Sequence, residues 1–183
     1  LFLLRKMIMS KTIEERKSAL DELFPYMKND IKATLEVMNG YPVTIRLLDP
    51  PLHEFVPHDE EKLLALGKEL NVDASELKRR ADSLRENNPM LGHRGVRLGI
   101  TYPEISEMQF KAILEAAAEL IKDGKKAMPE IMIPVTCAVA ELIHQKKIFD
   151  RVYQDVCSRF GLRKIPYMFG TMIEIPRAAL TAN

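Results

Sequence analysis

The chain has 183 residues, 46% of them hydrophobic and 29% charged, with 27 basic against 26 acidic side chains and a formal net charge of +1. This leaves room for one domain with a sizeable core, and the charge balance argues against nucleic acid or an anionic membrane as the main partner. The opening Leu1-Phe2-Leu3-Leu4 run is too short to span a bilayer, and Cys137 and Cys157 form neither a zinc motif nor a disulfide framework. The expected setting is a reduced cytoplasm, or an organelle stroma or matrix.

In chain order, Thr12-Ile13-Glu14-Glu15 is a capping box that predicts a helix from Ile13 through Leu20, Leu23 and Phe24. A second helical stretch places Met27, Ile31, Leu35 and Met38 on one stripe and ends at Asn39-Gly40. A strand follows at 43–48, with Thr44, Arg46 and Leu48 on one face and Val43, Ile45 and Leu47 on the other. Asp49-Pro50-Pro51 stops it. Arg46 is thus a permanent cation at the carboxyl end of a strand, beside a rigid turn, where parallel α/β folds place ligand-binding groups. A polar helical pair is predicted over 59–70 and 73–87, the second opened by Asp73 and Glu76 and closed by Asn88-Pro89.

The run 96–100 (Val-Arg-Leu-Gly-Ile) reads as a strand, and Pro103 starts a helix that reaches Lys122 before Asp123-Gly124. Glu130 to Val135 is an apolar strand, Ala138 to Phe160 a helix ended by Gly161, and Tyr167 to Ile173 the last strand. On that strand Met168, Gly170, Met172 and Glu174 share a face, and a helix begins at Pro176. Four strands alternating with helices predict an α/β fold of parallel βαβ units.

Three blocks, Thr44-Ile45-Arg46-Leu47-Leu48-Asp49-Pro50-Pro51-Leu52-His53-Glu54-Phe55, then 88–105 (Asn-Pro-Met-Leu-Gly-His-Arg-Gly through Pro-Glu-Ile), then Gly170-Thr171-Met172-Ile173-Glu174 through Leu180, resemble the phosphoenolpyruvate/pyruvate domain of the pyruvate phosphate dikinase family. The later two blocks also resemble phosphoenolpyruvate synthase and enzyme I of the sugar phosphotransferase system; the Asp-Pro-Pro-Leu-His-Glu-Phe wording is the dikinase form. The resemblance implies a TIM-type (β/α)8 barrel of which residues 1–183 hold about half, strands two to five, with a helical insertion at about 59–88. Its Arg-Thr-Glu-His block is expected before Leu1, and its Gly-Thr-Asn-Asp and Cys-Gly-Glu blocks after Asn183. Such a half-barrel exposes two strand edges, so the chain alone is expected to be marginal or to associate.

By residue type alone Arg94, between Gly92 and Gly95, is a surface or ion-pair arginine; the resemblance makes Arg46 and Arg94 the holders of a substrate phosphate. Phosphoenolpyruvate carries a carboxylate and a phosphate, both suited to guanidinium forks. Arg97 is expected to stand behind them. Position leaves Glu174 open between a metal ligand and a helix-dipole glutamate before Pro176; the resemblance implies a Mg²⁺ ligand, with Met172 beside it lining the substrate site. Asp49 orients Arg46 or caps the turn, and His53 satisfies a loop hydrogen bond rather than joining Glu54 in acid–base work. The resemblance also implies that none of His53, His58, His93 and His144 carries phosphate, a task for the histidine of a separate swivelling domain. It further implies a homodimer when full length, phosphoryl transfer to pyruvate enolate, and an inactive isolated chain. The alternative is a relative of phosphoenolpyruvate synthase or enzyme I, or a non-catalytic truncated barrel used for interaction or dimerisation.

Overall fold

The computed structural model describes residues 2–50, 59–70, 72–83 and 88–182. The chain divides into two compact units, Leu1–Leu23 with Pro50–Arg94, and Phe24–Asp49 with Gly95–Asn183. No helix among the described residues is long and apolar enough to cross a membrane.

The first unit holds α1 (Phe2–Met9), the front half of α2 (Ile13–Val37), α3 (Glu60–Leu70) and α4 (Ala74–Ser83). Its buried cluster is Met9, Leu63, Leu66 and Leu77, with Ile8 and Val72 against it. Thr12 Oγ1 caps α2 by accepting the Glu15 N–H at 3.2 Å, while Glu15 reaches back to the N–H of Lys11, one residue beyond the usual capping-box partner. At the start of α4, Asp73 Oδ1 accepts the Ser75 N–H at 2.6 Å, and the hydrogen bonds from Ser75 hold its carboxyl below the ordinary range. Residues 84–87 of the expected second polar helix lie outside the described residues.

Two helices were expected over 13–40; one is found. α2 runs through Pro25, which forgoes one backbone bond without ending the helix. Its rear half is held by packing, with Leu35 buried and Ile31 against the core. Met38 falls past the helix end and is exposed, so it does not complete the expected stripe.

The second unit adds β1 (Pro42–Arg46), α5 (Gly95–Thr101), α6 (Pro103–Lys122), β2 (Met128–Ile133), α7 (Val139–Phe160), β3 (Met168–Thr171) and α8 (Pro176–Leu180). The strands form a parallel sheet in the order β1-β2-β3, with Arg46 opposite Met132 and Met132 opposite Gly170. They end earlier than the sequence suggested, but Leu47 N–H to Met132 O and Met172 N–H to Ile133 O, both 3.0 Å, carry the ladder one residue further.

One face of this sheet is dry. Ile131 and Ile133 are buried, and Val43, Ile45 and Phe169 pack with Phe110, Ile113, Leu114, Phe149, Val152 and Val156 from α6 and α7. Phe110 and Phe149 meet edge to face at 5.4 Å between centroids and 89° between planes, a favoured geometry for ring quadrupoles. The other face carries Thr44, Arg46, Met168 and Gly170 exposed and Glu130 and Met132 half-buried.

The expected strand at 96–100 is instead the helix α5, which leaves three strands among the described residues rather than four. The alternation of Val96, Leu98 and Ile100 with Arg97 and Gly99 covers only five residues, too few to exclude a helical turn, and context decides. Here Val96, Leu98 and Gly99 are buried, and Gly99 lies against Ser106 of α6 and Gln145 of α7 without room for a side chain. A helix with glycine on its contact face can approach that closely.

Candidate functional site at the carboxyl edge of the sheet

Parallel strands bring their carboxyl ends to one edge, so the segments after β1, β2 and β3 lie side by side there. Arg46 ends β1 on the face away from the helices, as the two-residue period predicted. Its Nη1 donates to Asp49 Oδ2 at 3.2 Å; the Asp49 side chain is 2% exposed and that of Arg46 49%. Asp49 therefore orients Arg46, one of the two roles expected for it. The buried carboxylate fixes one side of the guanidinium, and the accessible remainder can meet an anion.

The surface beside Arg46 is shaped by its row in the sheet. Met132 is half-buried, and a Cβ added at Gly170 would meet nothing within 4 Å. One row back, Thr44 Oγ1 donates to Glu130 Oε2 at 2.6 Å, which fixes that carboxylate.

After β3, Met172 and Glu174 are half-buried. Glu174 Oε1 accepts the backbone N–H of Val135 at 2.7 Å, so the loop after β2 anchors this carboxylate. Val135 is buried and has φ +62°, the one non-glycine residue with positive φ among those described. A β-branched residue in that region is strained, and such strain persists only where surroundings enforce it. Two neighbours do so. Thr171 Oγ1 bonds Ile133 O and Thr136 Oγ1 at 2.8 and 2.6 Å, and Gly95, itself at φ +55°, packs against Val135. The glycine beside Arg94 thus allows the close approach of Val135 and Pro134: a Cβ there would sit 2.8 Å from Val135 Cγ2.

Arg97 is half-buried on α5, in the same unit. Arg94 is the last residue of the first unit, half-buried, with its N–H donated to Gly92 O at 3.0 Å. Of the five residues expected at the site, Arg46, Met172 and Glu174 come to the carboxyl edge of one sheet. His53 and Glu54 lie outside the described residues.

Residues 2–183 match the family described as PEP-utilising enzyme, PEP-binding domain. The chain belongs to that family. This PEP-binding domain is 49% identical over 181 residues to a pyruvate, phosphate dikinase of Clostridium symbiosum, covering 98% of this chain and 21% of that protein. It is 50% identical over 186 residues to one from Entamoeba histolytica, covering 97% and 21%. It is also 50% identical over 181 residues to a chloroplastic one from Mesembryanthemum crystallinum, covering 98% and 19%. The chain thus spans about a fifth of the length of these relatives.

Sequence reasoning about this PEP-binding domain missed Val135. Nothing in Pro134-Val135-Thr136 announces a left-handed valine whose N–H holds a glutamate 39 residues later.

Proposed function

We propose that this chain is the phosphoenolpyruvate/pyruvate-binding part of a pyruvate phosphate dikinase. The observation that carries the reading is identity of about one half across nearly the whole chain to dikinases of a bacterium, an amoeba and a plant. The sheet belongs to a (β/α)8 barrel in which its strands are consecutive staves. Their parallel order, with helices on one face and Thr44, Arg46 and Gly170 exposed on the other, supports this, since a barrel turns that second face inward.

Arg46 and Arg94 hold the transferring phosphoryl group, Arg97 backs them, and Met172 lines the pocket. Such transfer is mostly positioning and electrostatic stabilisation, which an arginine braced by a buried aspartate is suited to provide. Glu174 is a Mg²⁺ ligand. The residues fit in part: one Glu174 oxygen is committed to Val135, the other is an oxygen donor of the right hardness, and Mg²⁺ accepts one or two carboxylates with waters and substrate oxygens completing its shell. Among the described residues no three His, Cys, Asp or Glu side chains cluster to hold a metal. When bound, the ion would supply Lewis-acid polarisation to the pyruvate carbonyl oxygen. The phosphoryl donor is a phosphohistidine on a swivelling domain of the same protein, which works as a homodimer in cytoplasm or organelle stroma.

The test uses the complete protein. Arg46→Ala and Arg94→Ala are each expected to lower phosphoenolpyruvate turnover by about 10²–10³-fold or more, the effect of one lost charge-stabilising contact, while the ATP half-reaction persists. Unchanged pyruvate phosphorylation in both variants overturns the assignment.

A further inference from the structure

Gln145, on α7, is fully buried, and neither its Oε1 nor its Nε2 has a hydrogen-bond partner among the described residues. The other buried glutamine shows the contrast. Gln109 Oε1 accepts the Leu48 N–H at 2.6 Å and its Nε2 donates to Ile105 O at 3.0 Å. Buried amides are almost always paired, by protein or by ordered water, because leaving one dry forfeits its hydration.

A cavity of about 10 Å³ opens beside this amide, lined among others by Leu47, Leu48, Gly99, Ser106 and Pro134. That is room for one water. The polar groups converge. A Cβ added at Gly99 would lie 2.3 Å from Ser106 Oγ, 3.2 Å from Gln145 Nε2 and 3.3 Å from Gln145 Oε1. All three atoms are therefore within 3.3 Å of one point, and the glycine's missing methyl is what lets the hydroxyl and the amide come so close together. A hydroxyl and an amide offer both donors and acceptors, the two to four partners that an internal water needs.

We propose that this cavity is an internal water site, in which one water bridges the Gln145 amide and Ser106 Oγ. It joins α5, α6 and α7 at the point where Leu47 and Leu48 follow Arg46 and where Pro134 precedes Val135. The bound water acts as a pin beneath the carboxyl edge: it fixes the roots of the segments that present Arg46 and the Val135 N–H. The site is independent of which substrate the edge takes.

High-resolution crystallography of the complete protein tests this directly, with water itself as the probe. The expected result is density for one water at about 2.7–3.2 Å from both Gln145 and Ser106. Gln145→Met and Ser106→Ala should each lower the unfolding temperature by about 2–4 °C, the double variant by no more than the larger single loss. An empty cavity overturns the proposal, as does a direct Gln145–Ser106 hydrogen bond without water. A Gln145→Met protein that melts higher than the parent also overturns it, since only a dry, unpaired amide is relieved by removal.

Discussion

Replacing Glu174 by glutamine or by alanine separates two tasks within one carboxylate. Oε1 accepts the Val135 N–H at 2.7 Å, and Val135 is buried in a left-handed conformation. Glu174→Ala leaves that N–H without its acceptor, at a cost of about 1–3 kcal/mol. The strain at Val135, about 1–3 kcal/mol, would then lack one of the contacts that enforce it. Glu174→Gln keeps a carbonyl acceptor in place and gives up only the charge assistance, about 1 kcal/mol. Hydrogen exchange at the Val135 amide reads this locally in the complete protein. Glu174→Ala should speed exchange by roughly 5–150-fold, the same energy expressed as a ratio, and Glu174→Gln by less than about tenfold. On the proposed role of Glu174 as a Mg²⁺ ligand, by contrast, Mg²⁺ affinity should fall in both variants, because an amide oxygen or a methyl group is a poor substitute for a carboxylate. If Val135 exchange is as slow in Glu174→Ala as in the parent, the anchoring argument is wrong.

Gly95→Ala should cost about 1–3 kcal/mol from its positive φ alone, and more from overlap with Val135 Cγ2 and Pro134 O, measurable by denaturant titration. Phe149→Ala, which removes a fully buried ring in contact with Phe110, Tyr153, Tyr167 and Phe169, should cost about 3–5 kcal/mol in the same assay. Burial pulls the Glu119 carboxyl upward, but hydrogen bonds from Lys28 and Lys32 outweigh it and hold it below its ordinary 4.5. Its stabilisation is therefore full above about pH 4.5 and is lost as pH falls through the lowered value. A Lys28→Met/Lys32→Met protein should show a shallower acid loss in melts between pH 5 and 3, with about 0.2–1 kcal/mol per pair at neutral pH because these side chains are partly exposed.

Elements with chemical stops at both ends were legible in the sequence. Pro103 and Asp123-Gly124 bracket α6, and Gly161, in the left-handed conformation at φ +63°, closes α7. The two-residue period also put Arg46 on the face away from Val43 and Ile45. Val96 to Ile100 failed because Val96, Leu98 and Ile100 alternate with Arg97 and Gly99 like a strand over only five residues, and the packing of Gly99 against Ser106 and Gln145 goes with a helix instead. The break expected near Pro25 failed because packing of Leu35 and Ile31 outweighs one forgone hydrogen bond. At the site, Arg46 with Asp49 could be read from three-residue spacing. Glu174 with Val135 could not, since their meeting depends on the register of β2 with β3 and on a valine backbone that no local preference selects.

The strands stand in space in the order in which they are synthesised. Each newly made strand can dock on the exposed rim of its predecessor, and none has to be threaded between two already formed. A growing polypeptide can therefore lay this sheet down from one side while the ribosome is still at work, protecting each rim with the next addition. Truncation just after Phe160 should accordingly leave the β1–β2 ladder able to form, whereas loss of the middle strand would separate the other two.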